Sequence, residues 1–202
     1  MTIANFFAIF VKFFFILTPF FVIAVFLAMT EYESDATRRA LALRTTIGMV
    51  VISIVLLFFG DTIFALFGIT VDAFRIGAGS LLFLTAVSLV EGRFELPAAK
   101  ASIMDLAIVP LAIPTALGPG AVGALLVMGS EASGWPGLVA TAVAVTLASL
   151  AVGLLLFCAK FIKRLIGRSG ISMLSKLTGL ILAALSCQMI FTGVAAFLKP
   201  AA

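Results

Sequence analysis

The residues with the most chemical potential lie in one short run, Val109-Pro110-Leu111-Ala112-Ile113-Pro114-Thr115-Ala116-Leu117-Gly118-Pro119-Gly120. It puts three prolines and two glycines inside an otherwise apolar stretch. Each proline in a helix interior removes a backbone hydrogen bond at a cost of about 3 kcal/mol. In hydrocarbon, freed peptide groups must be buried in protein or line a wet cavity. The run therefore predicts a discontinuous helix. From Gly120 onward, a half-helix with free N–H groups and a positive dipole end suits a carboxylate, and the carbonyls of Thr115 and its neighbours suit an ammonium group or a sodium ion. A smaller version of the pattern is Thr18-Pro19-Phe20. The candidate binding residues are thus Thr18, Pro19, Thr115, Gly118, Pro119 and Gly120. Gln188 joins them, because an amide in the middle of an apolar run needs a polar partner. The alternative is a proline kink held by neighbouring helices.

Other polar residues carry weaker signals. Thr45, Thr46, Thr85, Ser88, Ser186 and Thr192 are of the types that bond the carbonyl one turn back. Arg75 and Lys176 fall at the ends of apolar runs, as interfacial anchors or as gate charges. Lys12 reads as a lysine snorkelling to the surface. The chain has no histidine, which removes the commonest general base and metal ligand. Cys158 and Cys187 each sit in an apolar run and read as small hydrophobes. With no carboxylate pair, nucleophile–base pair or metal set within a run, we expect no enzyme, no catalytic residues, no metal site and no cofactor. A coupling ion, sodium or proton, is compatible with the site, and the residues do not choose between them.

The elements that must position these residues follow from composition. Of 202 residues, 63% are hydrophobic and 11% charged, with a mean hydropathy of +1.31. Soluble domains are about a quarter charged. Apolar windows long enough to cross about 30 Å of hydrocarbon occur at 6–29, 41–59, 73–90, 106–128, 138–161 and 174–198. The expected fold is an all-α membrane protein of six transmembrane helices, with helices 1 and 4 broken. The basic residues sit at the ends of apolar runs, so the net charge of +4 points to lipid headgroups, not nucleic acid. Ten of the 13 Lys and Arg residues (Arg38, Arg39, Arg44, Arg93, Lys100, Lys160, Lys163, Arg164, Arg168, Lys176) fall after windows 1, 3 and 5. Positively charged loops stay cytoplasmic, so both termini are expected outside the cytoplasm.

A shift of about a hundred residues sets Thr18-Pro19-Phe20 on Gly118-Pro119-Gly120, Gly68-Ile69-Thr70 on Gly170-Ile171-Ser172, and Arg75 on Lys176. Three spans per copy invert the second copy relative to the first. The charges agree: the basic segment after window 1 matches the nearly uncharged 130–137, and the sparse segment between windows 2 and 3 matches the basic 160–168. We therefore divide a single membrane domain, 1–202, into repeat 1 (6–92), a cytoplasmic linker (93–105) and repeat 2 (106–198).

The proline–glycine run, together with Ala73-Phe74-Arg75-Ile76-Gly77-Ala78-Gly79-Ser80-Leu81-Leu82-Phe83 and Gln188-Met189-Ile190, resembles the MarC family of bacterial and archaeal membrane proteins, which includes the SnatA neutral amino-acid transporters. The resemblance covers nearly the whole chain. It implies six helices as inverted repeats, a plasma-membrane location, and small neutral amino acids moving through a site at broken helices 1 and 4. The chain departs from the family where Asn-Pro, a small residue and Gly usually stand in helix 1, carrying Thr18-Pro19-Phe20-Phe21 instead. The departure exchanges an amide for a hydroxyl and small residues for two rings. The expected function is secondary transport of a small zwitterionic solute, with the lipid bilayer as the other partner. The rivals are an exporter of another small metabolite or a drug, and a non-transporting membrane scaffold or assembly protein.

Overall fold

The computed structural model describes residues 3–92 and 117–198. They form seven helices: α1 (Ile3–Ile16), α2 (Pro19–Met29), α3 (Asp35–Phe67), α4 (Val71–Glu91), α5 (Pro119–Ser130), α6 (Gly134–Phe157) and α7 (Ala159–Leu198). Capping residues fix several ends. Ser34 accepts a bond from the Thr37 N–H to start α3, and Thr70 accepts one from Ala73 to start α4. Gly68 and Gly92 close those helices in the left-handed region, with φ of 61° and 72°, which a residue without a Cβ adopts at no steric cost.

Among the described residues, five stretches are long and apolar enough to cross a membrane: Ile3–Met29 (α1 and α2 together), Asp35–Gly60, Val71–Glu91, Gly134–Phe157 and Ala159–Leu198. The protein is an all-α, multi-pass membrane protein. Of the fourth expected window, 106–128, only the part from Leu117 onward lies within the described residues, and Arg93, Lys100, Pro110, Pro114, Thr115 and Lys199 lie outside them.

Boundaries differ from the sequence reading in two places. The fifth span stops at Phe157, and 160–168, read from sequence as a loop, is helical. There Phe161, Ile162, Leu165 and Ile166 alternate with Lys160, Lys163 and Arg164 at helical spacing, a pattern suited to an interfacial helix. The bend comes at Gly167, with φ 69°. The second window is the middle of a longer helix, since the 33 residues of α3 extend about 50 Å and overrun the hydrocarbon.

The packing follows membrane rules. Large apolar side chains such as Val51, Val55 and Phe59 face outward, whereas close contacts inside use small residues. The antiparallel pair α4 and α7 forms the central seam. Gly79 abuts Ser186 and Ile190, Gly179 abuts Ala86 and Leu89, and Gly193 abuts Asp72 and Ile76. The half-helix α5 lies between α3 and α4, buried from Gly120 to Gly129 except at Val122. The other half-helix, α2, lies against α7 and α6.

Candidate functional site

The first expected break is present. The α1 helix ends at Ile16, α2 starts with Pro19, and Thr18 between them has φ 48° and ψ 56°. Thr18 is the only non-glycine with positive φ among the described residues, an unfavoured geometry for a β-branched residue. Two causes combine here. Pro19 cannot donate to the preceding turn, and it pushes residue 18 out of the α region. Pro19 and Thr18 are buried, and the Thr18 side chain makes no capping bond to α2. Its hydroxyl thus sits at the positive end of α2.

Of the second expected break, only the start of the helix that follows it lies within the described residues. Pro119 is the first residue of α5, Gly118 precedes it with φ −58° and ψ 169°, and the Val122 N–H donates to the Gly118 carbonyl at 3.0 Å. Pro119 is exposed and Gly118 half-buried. Gly120 does something other than admit a ligand: a Cβ there would stand 2.7 Å from Leu82 Cα, so its missing side chain lets α4 approach α5.

The remaining predicted residues scatter. Gln188 lies on the exposed side of α7, away from the packed face of Ser186, Met189 and Gly193, and is not gathered with the breaks. The rotation per residue decides this, because two residues from Ser186 is about 200° around the helix. The hydroxyls of Thr46, Thr85, Ser88 and Thr192 bond carbonyls four residues back, and that of Ser186 bonds the Ala183 carbonyl three back. Ser53, which sequence reasoning passed over, has the only buried side-chain polar atom without a partner among the described residues.

Arg75 and Lys176 part company. Lys176 is exposed and has no partner among the described residues. Arg75 donates from Nε to Glu131 Oε1 at 3.0 Å, and its Nη atoms reach Asp72 and Glu131. It therefore ties the start of α4 to the end of α5. At the opposite face Arg168 bonds Glu31 just past the end of α2, with Lys163 Nζ 3.7 Å from the same carboxylate. Lys160 and Arg38 both meet Asp35 there, at 2.9 and 2.8 Å. Each half-helix thus ends in a glutamate clamped to a helix of the other half of the chain. The two glutamates are a hundred residues apart, a spacing visible in the sequence but unmarked by any motif.

A cavity of about 500 Å³ opens on the face of the N-terminus, between α1, the end of α5 and the start of α6. Its polar lining is Asn5, Lys12, Glu131, Ser133 and Thr141. On the opposite face a cavity of about 220 Å³ lies between α2 and α7, beside Glu31. No group of three or more His, Cys, Asp or Glu among the described residues is placed to hold a metal.

Residues 3–198 match the family described as MarC family integral membrane protein. The chain is 32% identical over 196 residues to the UPF0056 membrane protein YhcE of Escherichia coli, covering 94% of this chain and 91% of that one. It is 35% identical over 201 residues to a UPF0056 membrane protein of Methanocaldococcus jannaschii, covering 96% and 98%. No solved structure matches the chain.

Proposed function

This chain belongs to the MarC family of integral membrane proteins, and from that premise we propose that it is a secondary transporter of small neutral amino acids working by alternating access. The observations that support the reading are the helix start at Pro19 inside the span Ile3–Met29 and the start of the short apolar helix α5 at Pro119. A helix N-terminus presents unbonded N–H groups and a positive dipole end. Thr18, Pro19, Gly118 and Pro119 then build a carboxylate site from backbone, with Gly120 left out because its open face packs on Leu82, and Thr115 with its neighbouring carbonyls takes the ammonium group or a coupling ion. Gln188 is left out because it faces away.

Six spans in two inverted repeats, 6–92 and 106–198 joined by 93–105, fit the exchange of partners: α2 packs on α7, and α5 on α4. The clamps Arg75–Glu131 and Arg168–Glu31 tie repeat 1 to repeat 2 at opposite faces. Rocking one repeat against the other opens one clamp while the other holds, which makes Arg75 a gate residue and passes Lys176's expected role to Arg168. The basic cluster of Arg38, Lys160, Lys163 and Arg168 supports a cytoplasmic position for its face, placing both termini outside the cytoplasm of a bacterial or archaeal plasma membrane.

The test is uptake and release of labelled alanine and glycine by proteoliposomes, with Pro119→Ala beside the parent. Alanine gives α5 a continuous-helix option, and losing one or two charge-assisted hydrogen bonds of about 1.5–3 kcal/mol weakens affinity tenfold or more. A parent that moves no amino acid refutes the reading in favour of a scaffold or another solute. Unaltered transport by Pro119→Ala reduces the break to a kink.

A further inference from the structure

Past the Gly167 bend, α7 carries two different faces. One is the buried seam of Ile171, Ser175, Thr178 and Gly179. On the other, Arg168, Ser169, Ser172, Met173 and Lys176 line an open groove of about 550 Å³. Their spacing of three and four residues sets them in one stripe, which Leu177 and Leu180 continue toward the membrane interior. Met173, Leu177 and Leu180 are all exposed. Large apolar side chains before and after Lys176 put acyl chain, not water, around the stem of that lysine, so its ammonium group must reach along the groove to a polar partner. Helical side chains lean toward the N-terminus, which turns Lys176 toward Ser172 and Arg168. Eight residues, about 12 Å of helix, separate the two bases, a gap that their long side chains span.

The carboxylates of this face do not neutralise it. Lys176 has no partner among the described residues. Glu31 is shared by Arg168 and, at 3.7 Å, by Lys163, so that trio keeps a net positive charge and Lys176 adds a second. Asp35 is likewise shared by Lys160 and Arg38. Over 31–44, 91–92 and 160–176, eight Lys or Arg residues stand against four Asp or Glu.

We infer that this groove seats a phospholipid with an anionic headgroup, its phosphate between Arg168, Lys176 and the two serine hydroxyls and its acyl chain along Met173, Leu177 and Leu180. A zwitterionic lipid brings a cation of its own toward the same two positive charges. A soluble phosphate leaves the apolar half of the stripe uncovered. The site is independent of which solute the chain moves.

Native mass spectrometry of the full chain released from maltoside micelles, titrated with dioleoyl phosphatidylglycerol or dioleoyl phosphatidylcholine, reads the affinity for each lipid. Phosphatidylglycerol is expected to bind about tenfold tighter or more, since each base beside an anionic lipid is worth about fivefold. Lys176 is exposed, so its variants leave the seam intact. Lys176→Gln weakens phosphatidylglycerol about fivefold and leaves phosphatidylcholine unchanged, and Lys176→Arg keeps the parent affinity. Arg39→Gln, which removes an exposed base outside the groove, keeps it too. Equal affinities for the two lipids, or parent-like binding of phosphatidylglycerol by Lys176→Gln, overturns the proposal. A loss in Arg39→Gln as large as that in Lys176→Gln also overturns it, because the preference then belongs to the whole basic face. Displacement of the lipid by glycerol 3-phosphate at equal concentration does the same, because the occupant is then a soluble anion.

Discussion

Gly129 gives the sharpest test of how the second half-helix is held. A Cβ built there stands 2.1 Å from the Leu57 carbonyl oxygen of α3. An ordinary carbon–oxygen contact needs about 3.3 Å, so α5 must move away from α3 by about 1 Å in Gly129→Ala. The obstacle is backbone in the middle of α3, which no rotamer change removes. Overpacking in a close-packed interior costs roughly 1–3 kcal/mol, and here the upper end applies, because α5 is confined by α4 on its other side. A Cβ at Gly123 would lie 2.2 Å from Ala78 Cβ. Gly77 is the control, with nothing within 4 Å of a new Cβ. Gly77→Ala gains about 0.5–1 kcal/mol of helix propensity in an exposed helical position. Thermal unfolding of the purified protein in one detergent reads both. At about 2–4 °C per kcal/mol for a chain of this size, Gly129→Ala lowers the midpoint by roughly 6–12 °C, and Gly77→Ala leaves it equal or slightly higher. Equal midpoints for Gly129→Ala and the parent would show that α5 is not seated against α3.

In a double-mutant cycle of Arg75→Met and Glu131→Gln, thermal stability is expected to show a coupling of about 1 kcal/mol, above a fully exposed pair because the Arg75 side chain is only 18% exposed. Additive effects would remove the clamp as a link between the start of α4 and the end of α5. Thr18→Gly relieves left-handed strain of about 1–2 kcal/mol, partly offset by added chain entropy, so it is expected to raise the midpoint slightly where Thr18→Val lowers it; the reverse order contradicts the observed turn. Reporters active on one side of the membrane, fused after Ala202 and inserted at the Gly167 bend, are expected to give opposite signals, and agreement between them excludes the orientation. Gln188→Ala is expected to leave amino-acid affinity within about twofold of the parent, and a tenfold loss would return Gln188 to the site.

Amino-acid order alone determined that the chain is built of apolar, membrane-length helices, five of them among the described residues, because transfer to hydrocarbon depends on composition over some twenty residues and needs no partner. It determined the break at Thr18-Pro19 for the same local reason: a proline lacks its N–H in any surroundings. The start of a half-helix at Pro119 was legible on that ground too. Tertiary structure decided which way each side chain faces, since an apolar span shows little contrast between its lipid side and its packed side. Gln188 looked like a site residue until its angle around α7 was fixed by the seam with α4. Gly120 looked open to a ligand, yet it is filled by the backbone of Leu82. Glu31 and Glu131 gave no local signal, because an ion pair between residues 56 or 137 positions apart exists only once α5 lies on α4 and α2 on α7. Lys12 carried its charge in the sequence, but the cavity that it lines exists only where α1, the end of α5 and the start of α6 meet.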